Sequence, residues 1–163
     1  MITIRNAVAE DLPQLLVIYN DIIANTTAVW HDEAHTLAMR QEWFDVKTKQ
    51  GFPIFVAEEN NIIAGFSTMG PFRPWVGYRF TVENSVYVAM DSRGKGVAKL
   101  LMPPLIEAAQ KLGVHAIVAG IEASNEASIA LHEKFGFTEV AHFKEVGFKF
   151  NKWMDLKFLE LIV

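Results

Sequence analysis

A strand that leads through a glycine-containing basic loop into a helix constrains the fold of this chain more than any other segment. The apolar, β-branched run Val86-Tyr87-Val88 ends in a short polar turn, and Arg93-Gly94-Lys95-Gly96 then leads into the helical pattern from Val97 to Leu112. Small residues let a backbone approach a ligand closely, and the first amides of a helix point out of its N-terminus. The segment therefore predicts an α/β fold with a site for a phosphate-bearing molecule at this turn.

The hydrophobic pattern of the rest of the chain predicts strands and helices in a mixed order. We expect strands at Ile2 to Arg5, Ile54 to Ala57, Ile62 to Met69, Val82 to Val88, Ala116 to Ile121, Thr138 to Phe143 and Trp153 to Leu161. We expect helices after the possible N-caps Asp11, Thr36 and Asn125, and one that Pro103 and Pro104 bend sharply or split. Asn60-Asn61 predicts a hairpin turn, and Gly70 to Tyr78 reads as a loop. Together these elements predict one α/β domain over residues 1–163, a mixed sheet with helices on both faces.

Composition excludes several classes of function. The chain has 163 residues, a net charge of −4 and no cysteine, so disulfides, thiolate metal sites and a cysteine nucleophile are excluded. The acidic balance argues against nucleic-acid binding, which needs a basic face. No apolar run approaches the ~20 residues that span a bilayer, and the N-terminus lacks a signal-peptide pattern. We therefore expect a cytoplasmic domain with no membrane contact, and no metal site among the five histidines.

Two common phosphate-binding motifs do not match the loop, but a third does. Lys95 is followed by Gly96 rather than the Ser or Thr of a P-loop, and Lys99 stands where the dinucleotide fingerprint needs a small residue. The pattern Arg93-x-x-Gly96-x-Ala98 instead resembles the acetyl-CoA loop of GNAT-type N-acetyltransferases. Asn125-x-x-Ser128 and Leu131 to Phe137 resemble later segments of that family, in the same order and with the same spacing.

Further segments resemble the phosphinothricin N-acetyltransferase branch of that family. They are Ile18 to Asp21, Asn25 to Trp30, Thr81 to Val88, Ala119 to Glu122 and Gly147 to Leu156. Phe72 to Trp75 and Gly77 to Arg79 are most similar to bacterial enzymes that acetylate methionine sulfone and methionine sulfoximine. The resemblance implies the GNAT acyl-CoA N-acyltransferase fold, with a mostly antiparallel mixed sheet splayed at the cofactor site. It also implies a homodimer that acetylates the α-amine of a small amino acid or analogue by direct transfer from acetyl-CoA in a ternary complex, with a role in detoxification.

The resemblance assigns functional residues position by position. It places the cofactor against Val86, Tyr87, Val88, Arg93, Gly94, Lys95, Gly96, Val97, Ala98, Lys99, Asn125 and Ser128, with a backbone N–H near Val88 polarising the thioester. Glu83 matches the family's proposed general base. His132 stands where the superfamily usually has a tyrosine general acid and where the phosphinothricin branch also has histidine. The acceptor is expected to meet Trp30, Arg73, Pro74, Trp75, Arg79 and Glu83, because arginine suits a carboxylate or phosphinate.

Several alternatives remain open on the sequence. Glu83, with an ordinary pKa of ~4.3, needs a raised pKa, a water relay, or only to orient an amine that arrives neutral. His132 is either an acid or a helix residue packed beside Phe135, and Asn125 is needed as a helix cap as well as for the cofactor. The chain is otherwise an acetyltransferase of protein N-termini or polyamines, or an acyl-CoA-binding module without catalysis.

Overall fold

The computed structural model describes residues 1–163 as a seven-stranded sheet and four α-helices. The strands are Thr3–Asn6 (β1), Ile54–Glu59 (β2), Ile62–Pro71 (β3), Thr81–Val88 (β4), Ala116–Glu122 (β5), Thr138–Lys149 (β6) and Lys152–Ile162 (β7). The helices are Leu12–Asn25 (α1), Leu37–Lys49 (α2), Val97–Lys111 (α3) and Glu126–Lys134 (α4). Short 3-10 turns lie at Ala9–Asp11, Val76–Tyr78 and Met90–Ser92. No helix is long and apolar enough to cross a membrane.

The sheet is mixed and opens at its centre. Its strand order is β1-β2-β3-β4-β5-β7-β6, and every neighbouring pair is antiparallel except β4 and β5. In these two parallel strands, only residues 81–83 of β4 pair with residues 116–118 of β5. Beyond this pairing β4 continues to Val88 and β5 to Glu122. The second half of β4 therefore keeps one edge without a partner, which confirms the predicted splay.

Alternating side chains of the sheet pack against helices on both faces. Val56 and Phe66 join a buried cluster with Leu15 and other residues of α1, while Ala57 packs with Leu101 of α3 on the opposite face. A third cluster joins α3 to β4 and β5 and includes Phe137, which follows α4. This period-2 alternation gives each face of the sheet its own apolar layer, as the sequence predicts.

Three local expectations are wrong. The Asp11 side chain does not cap α1, because it accepts hydrogen bonds from the Val8 amide and the Arg5 guanidinium. Pro103 and Pro104 do not split α3. The two prolines have no amide hydrogen to donate to the carbonyls of Lys99 and Leu100. Lys99 and Leu100 are exposed, so water can hydrate those oxygens.

The third wrong expectation concerns the end of the first strand of the C-terminal hairpin. β6 continues from Phe143 to Lys149 instead of ending at Phe143, because an irregularity in the pairing absorbs extra residues there. Glu145 has a φ of +51° in this bulge, and its amide donates to Asp155 on β7. The hairpin turn at Asn60 and Asn61 is confirmed, with φ values of +54° and +65°.

Candidate active site

A large cavity lies where β4 and β5 diverge. Its volume is about 1130 Å³, and its walls come from both strands, from the loop and first turn of α3, from α4 and from residues 26–28. Eleven of the twelve predicted cofactor residues line it. They are Val86, Tyr87, Val88, Arg93, Gly94, Gly96, Val97, Ala98, Lys99, Asn125 and Ser128, and only Lys95 lies outside.

The turn before α3 presents free backbone amides. Gly94 and Gly96 have φ values of +74° and +83°, and no heavy atom lies within 4 Å of the position of a Cβ at either residue. The amides of Gly94, Lys95 and Gly96 donate to no protein acceptor. Positive φ at alternate residues makes a backbone concavity that binds anions, and the N-terminus of α3 adds to its positive potential. The turn therefore fits a diphosphate group.

The Arg93 side chain has protein partners as well as a place on the cavity wall. Its Nη2 lies 2.8 Å from Asp21 Oδ2 on α1, and its Nε donates to the Val88 carbonyl at 3.3 Å. The guanidinium therefore ties the loop to α1 and to the end of β4, rather than standing free for a phosphate. The cations on the cavity wall that have no ion-pair partner are Lys99 and Lys134.

The splay gives the cavity an unpaired strand edge. β4 pairs with β3 along its whole length, from Val82 opposite Pro71 to Val88 opposite Gly65. On its other side it leaves β5 after Glu83, so main-chain groups between Asn84 and Val88 face the cavity. An extended ligand with amide groups can pair with such an edge as an added strand would. The pantetheine arm of coenzyme A has that form, and the residues present fit it.

Glu83 stands between two glycines at the point of divergence. Its strand partner is Gly70 on β3, and a Cβ at Gly120 of β5 would lie 2.9 Å from Glu83 Oε1. The carboxylate accepts no hydrogen bond from the protein and lines the cavity. Burial raises the pKa of Glu83, while the charges of Arg73 and Lys47 act in the opposite direction. The site thus holds a half-buried carboxyl group that is open to a ligand.

Lys47 is a residue that sequence reasoning missed. Its Nζ reaches from α2 to donate to the Met69 carbonyl at 2.6 Å, and a Cβ at Gly70 would lie 2.5 Å from it. Directly paired residues of a sheet share a face, so the ammonium group lies on the side of the sheet where Glu83 points. Burial lowers the pKa of Lys47 to about 8, and the charge of Glu83 opposes that shift. Only the glycine at position 70 could have indicated the space it fills.

His132 is buried and has two protein partners. Its Nδ1 lies 2.8 Å from the Ser128 carbonyl oxygen, and its Nε2 lies 2.9 Å from Nδ2 of Asn84. Burial lowers the pKa of His132, and the Ser128 carbonyl partly opposes this shift. Its ring also meets the edge of the Phe137 ring at 5.0 Å. The residue therefore lines the cavity and packs within the fold at the same time.

Asn125 has separate atoms for its two expected roles. Its Oδ1 accepts from the Ser128 amide at 3.2 Å and so caps α4. Its Nδ2 has no protein partner and lies on the cavity wall, where it can donate to a ligand. The two functions do not compete, because they use different atoms of one amide group.

Most of the residues predicted to meet the acceptor lie outside the lining of the cavity. Arg73 lies against the Phe72 ring with 4.2 Å from its Cζ to the ring centroid, and Arg79 lies similarly against Phe80 at 4.6 Å. Trp75 is 67% exposed. The Trp30 indole donates to the Thr27 carbonyl at 2.9 Å. Of the expected acceptor-binding residues, only Glu83 lies on the cavity wall. The others lie outside it: Trp30, Arg73, Pro74, Trp75 and Arg79.

The segment from Thr26 to Val29 forms another wall that the sequence did not indicate in detail. Lys149 of β6 is buried, and its Nζ donates to the carbonyls of Ile23, Thr26 and Val29 at 2.6, 2.8 and 2.6 Å. Glu122 of β5, also buried, accepts from the Thr27 hydroxyl at 3.1 Å and from Ser124. These two charged residues hold the segment in place over the cavity.

The histidines bring together no cluster that would suit a metal. His31 and His35 stand four residues apart in the segment between α1 and α2, and their ring centroids are 5.4 Å apart. No group of three His, Cys, Asp or Glu side chains is placed to hold a metal ion. His35 Nδ1 is instead 3.0 Å from Arg40 Nη2.

Comparison with known proteins points to one family. The family model described as Acetyltransferase (GNAT) family matches residues 15–137. The chain is 47% identical over 160 residues to the L-methionine sulfoximine/L-methionine sulfone acetyltransferase of Pseudomonas paraeruginosa, with 98% of this chain and 93% of that protein covered.

Solved structures agree with this result. The crystal structure of an N-acetyltransferase from Staphylococcus aureus Mu50 superimposes with a TM-score of 0.98 at 49% identity, covering 99% of this chain and 98% of that one. A GNAT superfamily phosphinothricin acetyltransferase from Sinorhizobium meliloti, in complex with acetyl-CoA, gives a TM-score of 0.96 at 33% identity over 99% of this chain and 88% of that one.

Proposed function

The chain belongs to the GNAT family of acetyltransferases, and on that premise we propose that it acetylates the α-amine of small amino acid analogues. It is an N-acetyltransferase of the methionine sulfoximine/sulfone and phosphinothricin branch, and acetyl-CoA is its co-substrate. The proposed acceptors are methionine sulfone, methionine sulfoximine and phosphinothricin. The observation that carries the proposal is the position of Glu83, an unpartnered carboxylate on the wall of the cavity at the start of the free edge of β4.

The proposed reaction is a direct transfer in a ternary complex. Bound acetyl-CoA supplies a thioester, whose carbonyl carbon the neutral amine attacks. Glu83 takes the amine's proton, directly or through one water, because burial raises its pKa toward the range that suits a base. A main-chain N–H near Val88 stabilises the oxygen that becomes negative. The C–N bond forms, the C–S bond breaks, and the absence of cysteine agrees with a path that has no thioester on the enzyme.

Charge around Glu83 favours an amino acid over a polyamine as acceptor. The positive charges of Arg73 and Lys47 both act to lower the pKa of Glu83, so two cations lie within electrostatic range of its carboxylate. An α-amino acid carries an ammonium and a carboxylate in the same close arrangement, whereas a polyamine would require an acidic pocket. A sulfone or sulfoximine has the tetrahedral shape of a phosphinate without its charge, so one site can serve all three acceptors.

Thiol release with a panel of acceptors tests the proposal. The protein would be incubated with acetyl-CoA and methionine sulfone, methionine sulfoximine, phosphinothricin, methionine, spermidine or a peptide N-terminus, and free thiol measured with DTNB. We expect release with the first three and no release above background with spermidine or the peptide. Release with spermidine or peptide alone would overturn the choice of acceptor. Saturable coenzyme A binding without release on any acceptor would favour a binding module.

Assembly and location form a second part of the proposal. The C-terminal hairpin exposes the apolar side chains of Val146, Phe148, Phe150 and Trp153, each more than half exposed. We propose that a second copy of the chain covers this surface in a homodimer, because an apolar patch of this kind is typical of an interaction site. Light scattering at micromolar concentration should give twice the 18.3 kDa mass, and a monomer would contradict the proposal.

The proposed setting is the cytoplasm, where acetyl-CoA is available, and the proposed role is detoxification. Bacteria that express the chain should then grow at methionine sulfoximine concentrations that stop cells expressing E83Q, and the protein should fractionate with cytoplasmic markers. Equal sensitivity of the two strains would contradict the detoxification role.

A further inference from the structure

The hydrogen bonds of His132 determine which of its nitrogens carries a proton. Nδ1 faces the Ser128 carbonyl oxygen at 2.8 Å, and a carbonyl only accepts. Nδ1 therefore carries the hydrogen. In the neutral ring Nε2 then has a lone pair, and it accepts from the Asn84 amide at 2.9 Å. In this arrangement His132 has no free N–H to offer a departing sulfur.

No charged group faces the ring from the elements packed around it. Its neighbours are the Ser128 carbonyl of α4, the Asn84 amide of β4 and the edge of the Phe137 ring. Burial is the main influence on its pKa and lowers it, so the neutral form is favoured. The tautomer given by the contacts is therefore the form present near neutral pH.

Asn84 holds an unused polar atom inside the fold. The residue is 7% exposed, and its Oδ1 has no hydrogen-bond partner. Its Nδ2 has the His132 contact and a long one of 3.9 Å to Met102 Sδ. The residue also borders the cavity, next to Glu83 in the chain. A buried acceptor without a donor is costly, so the free Oδ1 indicates that a ligand supplies the missing donor.

We propose that Asn84 Oδ1 accepts a hydrogen bond from coenzyme A, at the amide N–H nearest the sulfur, and that His132 is the positioning residue that orients the Asn84 side chain. The thioester itself offers only acceptors, and that amide is the donor closest to it. His132 holds the Asn84 nitrogen and thereby fixes the direction of Oδ1, which is buried and has no protein donor, in a residue that borders the cavity. The inference rests on the proposed function, and it replaces the expectation that His132 is a general acid.

The departing thiolate does not require an acid under this proposal. A thiol such as that of coenzyme A resembles a cysteine thiol with a pKa of ~8.5, so the thiolate is stable enough to leave near neutral pH. Solvent can protonate it afterwards. Loss of either member of the pair should therefore weaken cofactor binding and should not introduce a new alkaline limb in the rate.

The first test reads the tautomer directly in the unliganded protein. Nitrogen NMR of ¹⁵N-histidine-labelled protein at pH 7 should show His132 with a protonated Nδ1 and a bare Nε2, and a H132Q sample assigns the signals. Exposed His115 serves as the internal reference for a histidine outside the cavity. A hydrogen on Nε2, or an imidazolium at pH 7, would overturn the inference. The result does not depend on any acceptor or on turnover.

The second test measures coenzyme A binding by calorimetry. N84A and H132A should each weaken binding about tenfold, the usual effect of one hydrogen bond, and the double variant should be no weaker than either single one. H115Q should bind as the parent does, and melting curves verify that each variant is folded. Unchanged binding in folded N84A, or fully additive losses, would overturn the inference.

Kinetics separate this inference from the proposed function. The dependence of kcat on pH above neutrality should be the same in H132A and in the parent chain. If His132 were a general acid, kcat of the parent chain would fall as pH rises, and H132A would not show this fall. If N84A weakens coenzyme A binding but no acceptor is acetylated, the proposed function fails and the inference stands. If transfer occurs and folded N84A binds normally, only the inference fails.

Discussion

The surroundings of Glu83 account for how a glutamate could accept a proton from an amino acid amine under the proposed function. Partial burial raises the pKa of Glu83. Gly70 and Gly120 beside it have no side chains, so they do not cover the carboxylate. The E83Q variant keeps the shape of the side chain and loses the ability to take a proton. We expect coenzyme A affinity to be unchanged and kcat/KM to fall by roughly 100-fold or more, the range typical of a general base. Steady-state kinetics from pH 6 to 9 check this, and rates equal to those of the parent would exclude the role.

Lys47 should control the pH at which Glu83 becomes active. A positive charge nearby favours the ionised carboxylate, so K47M should raise the pKa of Glu83 further and move the acidic limb of kcat/KM to higher pH. The shift should appear below about pH 8, where Lys47 is still charged. K47R should restore the limb, and K49M, which removes an exposed lysine from the same helix, should leave it in place. An acidic limb that does not move in K47M would show that Lys47 has no influence on the base.

The pair of lysines also illustrates what single residues reveal in sequence. In the sequence, Lys47 and Lys49 are two similar lysines of one helix. Only the position of β3 determines that the Lys47 ammonium group lies over Gly70. The place of Glu83 on the cavity wall was predictable because the motif around it resembles a family. The contact of Asn84 with His132 was not, because His132 is 48 residues away and meets it only in the folded chain.

At the scale of secondary-structure elements, local chemistry predicted most of the fold. The Thr36 side chain caps α2 as expected, by accepting from the Met39 amide at 3.2 Å, and Asn60-Asn61 forms its hairpin turn. The expectation for Asp11 was wrong, because the chain turns between β1 and α1 and brings Arg5, six residues earlier, against the Asp11 carboxylate. Caps and turns depend on neighbouring residues in the chain, whereas ion pairs and bulges depend on strands that arrive from elsewhere.

The clamp between β6 and the end of α1 should contribute strongly to stability. K149M leaves the carbonyls of Ile23, Thr26 and Val29 without their donor, and a buried group left unsatisfied costs roughly 1–3 kcal/mol. We expect unfolding free energy to fall by about 3 kcal/mol in urea, with a higher KM for the acceptor because the clamped segment lines the cavity. K152M, at an exposed lysine in the same hairpin, should unfold as the parent does. A K149M variant of unchanged stability would contradict the clamp.

At the scale of the whole molecule, the splay of the sheet links the fold to the site. β4 is held on one side by β3, and its open edge, the free amides before α3 and the wall of α4 all border the same cavity. One buried cluster packs Val82 of β4 together with Ile117, Ala119 and Ile121 of β5, and so anchors the two strands where they diverge. The splay of the sheet was implied by family resemblance, but the length of the gap follows only from the register of β4 and β5.

Coenzyme A should therefore stabilise the entire domain, because it supplies partners for polar groups that the fold leaves open. At 100 times its Kd, a ligand that binds only the folded state adds about 2.7 kcal/mol, which raises Tm by roughly 5–10 °C for a domain of this size. G96V should abolish most of this shift, since a β-branched residue resists the φ of +83° and would crowd the diphosphate site. G51A, at another positive-φ glycine far from the cavity, controls for the backbone strain itself. Thermal melts with and without coenzyme A measure both effects, and an equal shift in the parent chain and G96V would mean that the ligand binds elsewhere.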